Sequence, residues 1–345
     1  MQSHSNNLSN IPVIHCLRGL AAIMVCLFHL GHSPQNFVTN PIAREIFSSG
    51  EFGVYMFFMI SAIVIPLSLV RNQYNYSLWG KFMLKRIARL EPPYLVTVIF
   101  AIFFLKLRPM LIPGATDLTP DNFSLALHIG YLVPFFKGTW ANVVFWTLSV
   151  EFQYYLLLSL TLPFALKGNR GARYFFYAIF LALPLIPSGN FFLPVYGPLF
   201  LTGILYVLMI SSVIGWKEYA LFTTLSITLS FFTIHPGSNI AAISALLATH
   251  YFTAYSNKIW HFMGTISYSL YLTHTMTGLA LVNILSHHYK EGYQQVLIIS
   301  AGLIVSIAAA WPFYLLVEKP AMKLAAKIRY PRPVPASLPV PENAD

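Results

Sequence analysis

Ile11-Pro12-Val13-Ile14-His15-Cys16-Leu17-Arg18-Gly19-Leu20-Ala21-Ala22-Ile23-Met24-Val25-Cys26-Leu27-Phe28-His29-Leu30 is the stretch on which the reading of this chain turns. It is long and apolar enough to cross a bilayer as a helix, which takes about 20 such residues. Yet it carries an arginine and a histidine eleven positions apart. Eleven residues of α-helix turn through about 1100° and rise about 16 Å, so Arg18 and His29 face the same way at two depths of one interior face. A charge near the middle of a membrane helix costs about 2.5–3.5 kcal/mol on insertion scales. It is kept where a polar interior or a ligand compensates it. Otherwise Arg18 snorkels to the near interface and His29 caps the far end, with no chemistry.

The surrounding sequence has the same character. Of 345 residues, 57% are hydrophobic and 9% charged, against about 25% charged in soluble domains. The apolar stretches nearly tile the chain, which makes it an all-α polytopic membrane protein with no room for a sizeable soluble domain. Windows of about 20 apolar residues place spans near 12–30, 52–70, 92–107, 143–166, 174–189, 191–211, 218–234, 238–256, 264–285 and 293–317, a bundle of about ten transmembrane helices. Residues 123–136 are too short for a crossing and are broken by Pro134, so they read as interfacial or re-entrant.

A net charge of +10 would suit a nucleic-acid partner, but the charges sort by side. With ten spans and the amino terminus in the cytoplasm, fifteen lysines and arginines fall in inner segments (Arg71, Lys81, Lys85, Arg86, Arg89, Lys167, Arg170, Arg173, Lys217, Lys258, Lys319, Lys323, Lys327, Arg329, Arg332) and five in outer ones (Arg44, Lys106, Arg108, Lys137, Lys290). That is the positive-inside bias, with both termini cytoplasmic. Counting 123–136 as a further crossing would destroy it. The membrane domain is expected over 1–320. Residues 321–345 read as a basic, proline-rich cytoplasmic tail, disordered above all in its last fifteen residues.

No cleavable signal peptide is expected, because no basic region precedes the first apolar run and no small-residue cleavage site follows it. Cys16 and Cys26 lie too far apart on one helix to bridge. His29 and His32 lack a nearby acid or cysteine, and His287 and His288 fall in an outer loop, so no metal site is expected. A Ser-His-Asp triad is hard to assemble, since Asp117, Asp121 and Asp345 all lie outside the spans.

Three further clusters can carry chemistry. In Lys81-Phe-Met-Leu-Lys85-Arg86-Ile-Ala-Arg89-Leu-Glu91-Pro92-Pro93-Tyr94, Arg86 and Arg89 are one turn apart, and Lys81, Lys85 and Arg89 form a stripe at four-residue spacing. Such a face binds a polyanion, and it also serves as a topology signal or a contact for anionic lipid. Pro92 and Pro93 suit a helix start or break at the membrane surface. In Trp146-Thr147-Leu148-Ser149-Val150-Glu151-Phe152-Gln153-Tyr154-Tyr155, the residues Thr147, Glu151 and Tyr155 share a helix face from which Ser149 points away. An intramembrane Glu151 needs compensation, as the charge partner of a buried arginine or as a catalytic acid or base. In the ninth span, Ser267, Tyr271 and His274 put a hydroxyl, a phenol and an imidazole on one face, fit for interhelical hydrogen bonding or for catalysis.

Leu17-Arg18-Gly19-Leu20-Ala21-Ala22 with His29, Gly53-Val-Tyr-Met-Phe57-Phe-Met-Ile-Ser61, Arg86-Ile-Ala-Arg89, Trp146 through Tyr154, Ile266-Ser-Tyr-Ser-Leu-Tyr271-Leu-Thr-His274 and Val317-Glu318-Lys-Pro320 together resemble the acyltransferase 3 family of integral-membrane acyltransferases, in order from about residue 11 to residue 320. The resemblance implies a ten-helix domain of a bacterial inner membrane. It implies transfer of an acyl group, usually acetyl, from cytoplasmic acyl-CoA to a hydroxyl of a glycan or other surface molecule. By position His29 matches the family's essential histidine, Arg18 its partner arginine, and Arg86 and Arg89 the arginine pair that handles the donor.

The family often has Asp where His15 stands, Gly where Ala62 stands and a second acid where Phe152 stands. Some members carry an additional hydrolase-like domain; here transfer is expected to finish within the membrane domain or on a partner. With Lys85 beside them, Arg86 and Arg89 would hold the phosphates of the donor. His29 would act as general base or as an acyl-histidine, and Tyr271, His274 or Ser149 would donate to the developing oxyanion. A transporter or flippase is the rival reading, since intramembrane charge and breaking prolines such as Pro194 and Pro198 also mark translocation paths. No inverted repeat supports it.

Overall fold

The computed structural model describes residues 11–32, 37–111, 116–167, 169–289 and 291–330, and they contain no β-strand. The helices are α1 (Pro12–His32), α2 (Pro41–Ser48), α3 (Gly53–Arg71), α4 (Trp79–Leu111), α5 (Asn122–Leu127), α6 (Trp146–Leu166), α7 (Arg170–Ala182), α8 (Gly197–Ile210), α9 (Trp216–Thr233), α10 (Pro236–Tyr251), α11 (Lys258–Thr265), α12 (Ser267–Thr273), α13 (Gly278–Ser286), α14 (Gly292–Phe313) and α15 (Lys319–Lys327). Among the described residues, six segments are long and apolar enough to cross a membrane: Pro12–His32, Pro41–Arg71, Tyr76–Met110, Val143–Leu166, Leu193–Ile210 and Gly292–Lys327. Of the other four expected spans, three fall on shorter or broken helices, α7, α10 and the run from α11 to α13, and one on α9, which is 18 residues long but carries Lys217 and Glu218 in its first turn.

Helix α1 is the hub of the bundle and touches α2, α3, α10, α11, α12, α13 and α14. Small residues on its buried face, among them Gly19, Ala21, Ala22, Cys26 and Gly31, let backbones approach closely, as apolar helices in lipid do to gain van der Waals contact. The closest approach is to α11. A Cβ on Gly264 would collide with the carbonyl oxygen of His15, and one on Gly19 would lie 2.8 Å from the Met263 Cβ. The same device accommodates Ala62, where the family often has glycine: its methyl sits against Gly203 of α8, on which a Cβ would come within 2.5 Å.

Three elements depart from the sequence reading, each for a local reason. Helix α4 runs unbroken through Pro92 and Pro93 for 33 residues. The prolines remove the donors of the Ala88 and Arg89 carbonyls, but their fixed φ of about −65° is one a helix also uses; beside that gap Tyr268 Oη donates to the Leu90 carbonyl at 3.0 Å and Thr97 Oγ1 to the Pro93 carbonyl at 2.7 Å. The ninth span is not one helix but three, α11 to α13. There Ser267, Thr273, His274 and Thr277 each turn a side chain onto a backbone carbonyl three or four residues back, at 2.8, 2.8, 3.0 and 2.9 Å, which competes with the helical ladder. Where a tail is expected from residue 321, a π-turn over Tyr314–Glu318 leads instead into α15, whose Ala321 and Ala325 are buried and which packs on α4. Residues 331–345, the expected disordered stretch, lie outside the described residues.

The segment 123–136 forms the six-residue α5 and a turn over Ile129–Tyr131, too short to cross. His128 clamps it. Its Nδ1 faces the Ser124 carbonyl at 2.9 Å and its Nε2 faces the Ala141 N–H at 3.1 Å. A carbonyl only accepts and an amide N–H only donates, so both bonds require the neutral Nδ1–H ring. The Tyr94, Trp140 and Phe145 rings surround it.

This packing makes two outcomes testable. Replacing Gly264 by Ala should destabilise the purified protein by about 1–3 kcal/mol through overpacking, whereas Gly80→Ala, with nothing within 4 Å of the new carbon, should be neutral; equal melting temperatures in detergent would refute the α1–α11 contact. Burial holds His128 below its ordinary value of 6.5, so the clamp is intact above that pH. It weakens as pH falls through the lowered folded value, when the Nε2 lone pair is lost. Amide exchange over residues 122–142 should therefore accelerate in acid in the wild type and be fast at every pH in His128→Ala. A pH-independent wild type would contradict the tautomer.

Candidate functional site

Between α1, α3, α4, α6 and α12 lies a cavity lined by residues of all five helices. Its walls differ in chemistry. Helix α3 contributes an apolar side, with Val54, Phe57, Phe58, Ile60, Val64 and Ile65. The facing side is charged and phenolic: Arg18 from α1, Arg86 and Arg89 from α4, Glu151 and Tyr155 from α6, Tyr268 and Tyr271 from α12, and Glu318 from the π-turn.

Glu151 is compensated differently from the expectation of an arginine partner. It accepts a hydrogen bond from Ser61 Oγ at 2.5 Å and another from the Tyr155 hydroxyl. Glu318, 3% exposed, accepts the backbone N–H of Ser269 at 3.1 Å and its Oγ at 2.5 Å, which ties the start of α12 to the last helix. Among the described residues the one carboxylate–guanidinium pair within 4 Å is Arg173–Glu218, at 2.8 Å and away from this cavity. Three guanidinium groups therefore share the cavity with two carboxylates and close no ion pair with them.

Arg86 is held by ring faces. The Arg86 Cζ lies 5.7 Å from the Phe82 ring centre and 5.9 Å from that of Tyr155, cation–π geometry, while its Nε is buried with no hydrogen-bond partner. Arg18 has Arg89, Glu318 and Glu151 as charged neighbours. Guanidinium groups with donors to spare, facing a cavity that also has an apolar wall, suit an amphipathic anion such as a phosphate-bearing chain.

At the far end of α1 a second group of residues assembles. The His29 and His274 ring centres are 5.1 Å apart, and that of Tyr271, a cavity-lining residue, is 6.1 Å from His274. Tyr271 Oη shares a proton with Thr147 Oγ1 at 2.6 Å and reaches the Val144 carbonyl at 3.1 Å. Asn142 Nδ2 donates to Thr275 Oγ1 at 2.6 Å beside the break after α12.

Of the residues singled out in the sequence, Arg18, Arg86, Arg89, Glu151 and Tyr271 thus meet in one cavity, and His29 and His274 meet each other next to Tyr271. Ser149 and Lys85 do not join them. Ser149 donates to the Tyr131 carbonyl at 3.0 Å and so has no proton left for an oxyanion, and the Lys85 ammonium lies 5.2 Å from the Tyr330 ring centre. His274 is also no oxyanion donor as a neutral ring, because its one N–H is directed at the Leu270 carbonyl.

Ser61, Tyr155, Tyr268 and Glu318 are cavity residues to which no site role was given. An acid next to Lys319-Pro320 at the end of a span was a signal for Glu318; the π-turn that aims it inward leaves none. No three His, Cys, Asp or Glu residues among those described form a metal-binding group.

A family model described as an acyltransferase domain matches residues 11–315. No curated protein and no solved structure matches the chain. That match covers most of the chain and runs through both the cavity and the histidine pair: the chain belongs to the acyltransferase 3 family.

Proposed function

We propose that this protein takes an acyl group, acetyl by the family's habit, from cytoplasmic acyl-CoA and passes it to a hydroxyl on a glycan or other exported molecule. The topology that goes with this reading is ten spans in a bacterial inner membrane with both termini in the cytoplasm, favoured by the fifteen-to-five division of basic residues. The observation that carries the reading is the cavity with three guanidinium groups closing no ion pair.

A CoA thioester brings phosphates, a long amphipathic arm and an acyl carbon. Arg86 and Arg89 would bind the phosphates through charge-assisted hydrogen bonds. The pantetheine arm would lie along the apolar α3 wall, and Arg18 would meet a phosphate or hold the channel wall. The acyl carbon would then come to Tyr271 and the two histidines. His29 acts there as the reacting imidazole: a neutral ring accepts a hydroxyl proton near physiological pH and returns it to the leaving group. Tyr271 would stabilise the oxyanion only by turning its one proton away from Thr147 and the Val144 carbonyl, and Glu151 helps balance the charge of the arginines.

The deciding experiment supplies labelled acetyl-CoA to membranes with and without this protein and identifies by mass spectrometry the molecule that gains the label. His29→Ala should cut transfer by at least about 100-fold with the protein still inserted; near-normal transfer would remove His29 from the reaction. Changing both Arg86 and Arg89 to Gln should raise the acetyl-CoA concentration needed for half-maximal rate by at least about 10-fold, the value of one lost charge-assisted bond. An unaltered dependence on acetyl-CoA would rule out the phosphate role.

A further inference from the structure

His274 is fully buried where α12 ends, and its two ring nitrogens stand in different conditions. Nδ1 faces the Leu270 carbonyl at 3.0 Å. Because a carbonyl only accepts, Nδ1 carries the proton and Nε2 is a bare lone pair. Nε2 is buried without a hydrogen-bond partner, a condition that costs about 1–3 kcal/mol unless a donor arrives. The ring beside it is that of His29, with centres 5.1 Å apart and planes tilted by 43°. An N–H···N bond of about 2.9 Å between two imidazoles puts their centres about 5 Å apart. The two rings already stand at that separation, and a turn of His29 about its broad, two-fold χ2 torsion would bring an N–H onto Nε2.

We propose that His274 is a positioning residue for His29: its bare Nε2 receives an N–H from His29 and so leaves the lone pair of the other His29 nitrogen to act as the base. This rests on the reading of His29 as the reacting imidazole. As the acceptor oxygen bonds to the acyl carbon, its proton passes to that second nitrogen of His29. The C–S bond breaks, the departing sulfur takes the proton back, and both imidazoles end neutral. In hydrolytic triads a carboxylate orients the imidazole. Here a neutral ring does so, without burying another charge in an apolar bundle. The surroundings keep His274 in place. Its Nδ1–H is tied to Leu270, the adjoining Thr275 is tied to Asn142, and Glu318 anchors the start of the same short helix through Ser269.

The test compares His274→Phe, which keeps a ring but has no lone pair, with His274→Gln, whose Oε1 can accept the His29 N–H, using membrane vesicles, labelled acetyl-CoA and the endogenous acceptor. His274→Phe should lower kcat by about 100-fold with the KM for acetyl-CoA unchanged, and His274→Gln should recover at least about ten-fold of that loss. A His274→Phe enzyme as fast as wild type, or one that raises KM while keeping kcat, overturns the proposal.

Nitrogen NMR of the wild-type protein labelled at histidine gives a second reading that needs no variant to fold. It should show an N–H···N coupling between the two rings, and its absence in the acetyl-CoA-bound protein also overturns the proposal. An active His29→Ala would instead bring down the parent reading. An inactive His29→Ala beside a fully active His274→Phe would defeat this proposal alone.

Discussion

Apolar surroundings offer a buried guanidinium nothing to bond to, so the protein must supply every partner itself. This bundle leaves that requirement partly unmet at one place. Arg18, Arg86 and Arg89 face a common cavity while the two acids beside them are occupied by hydroxyls and a backbone amide. Like charges on α1 and α4 oppose closure of the helices over the gap, and the small-residue contacts of α1 with α11 hold the hub helix firm against that repulsion. A cavity between the helices is the outcome.

The same hub links the two halves of the site. Arg18 lies near one end of α1 and His29 near the other, so a single helix sets the spacing between the arginine-lined cavity and the imidazole pair. Helix α12 runs alongside with Tyr268 and Tyr271 on the cavity and His274 at the far end. It is only seven residues long, and what holds it is polar: Glu318 at its start and the Thr147 and Val144 contacts of Tyr271. The placement of His274 therefore depends on hydrogen bonds made inside the bundle, where they are not weakened by water.

Much of this could be read from the chain before any coordinates. The long apolar run around Arg18 becomes α1 because only a helix satisfies its own backbone in lipid, and the four-residue steps from Thr147 to Glu151 to Tyr155 survive because α6 is regular. Ser149 turns away as that spacing requires. Where the reading departed, side chains had overruled periodicity. The serines and threonines around His274 look like ordinary helix positions until their hydroxyls find backbone carbonyls. Pro92 and Pro93 look like a boundary, yet α4 runs through them at the φ that proline and helix share. The partners of Glu151 come in part from α3, 90 positions earlier, and pairings of that kind leave no mark in local spacing.

The π-turn at Tyr314–Glu318 carries one extra residue compared with regular helix, as such bulges do. Each added residue rotates the downstream helix by about 100°, so the turn works as a phase shifter: upstream, α14 keeps its packing against α12 and α13, while at the turn's end Glu318 lines the cavity and beyond it α15 rests on α4. Relatives that shorten this stretch by one position would reset the phase and carry their acid to a different side of the last helix. A single-residue gap there is thus a marker of altered active-site wiring rather than of harmless length variation.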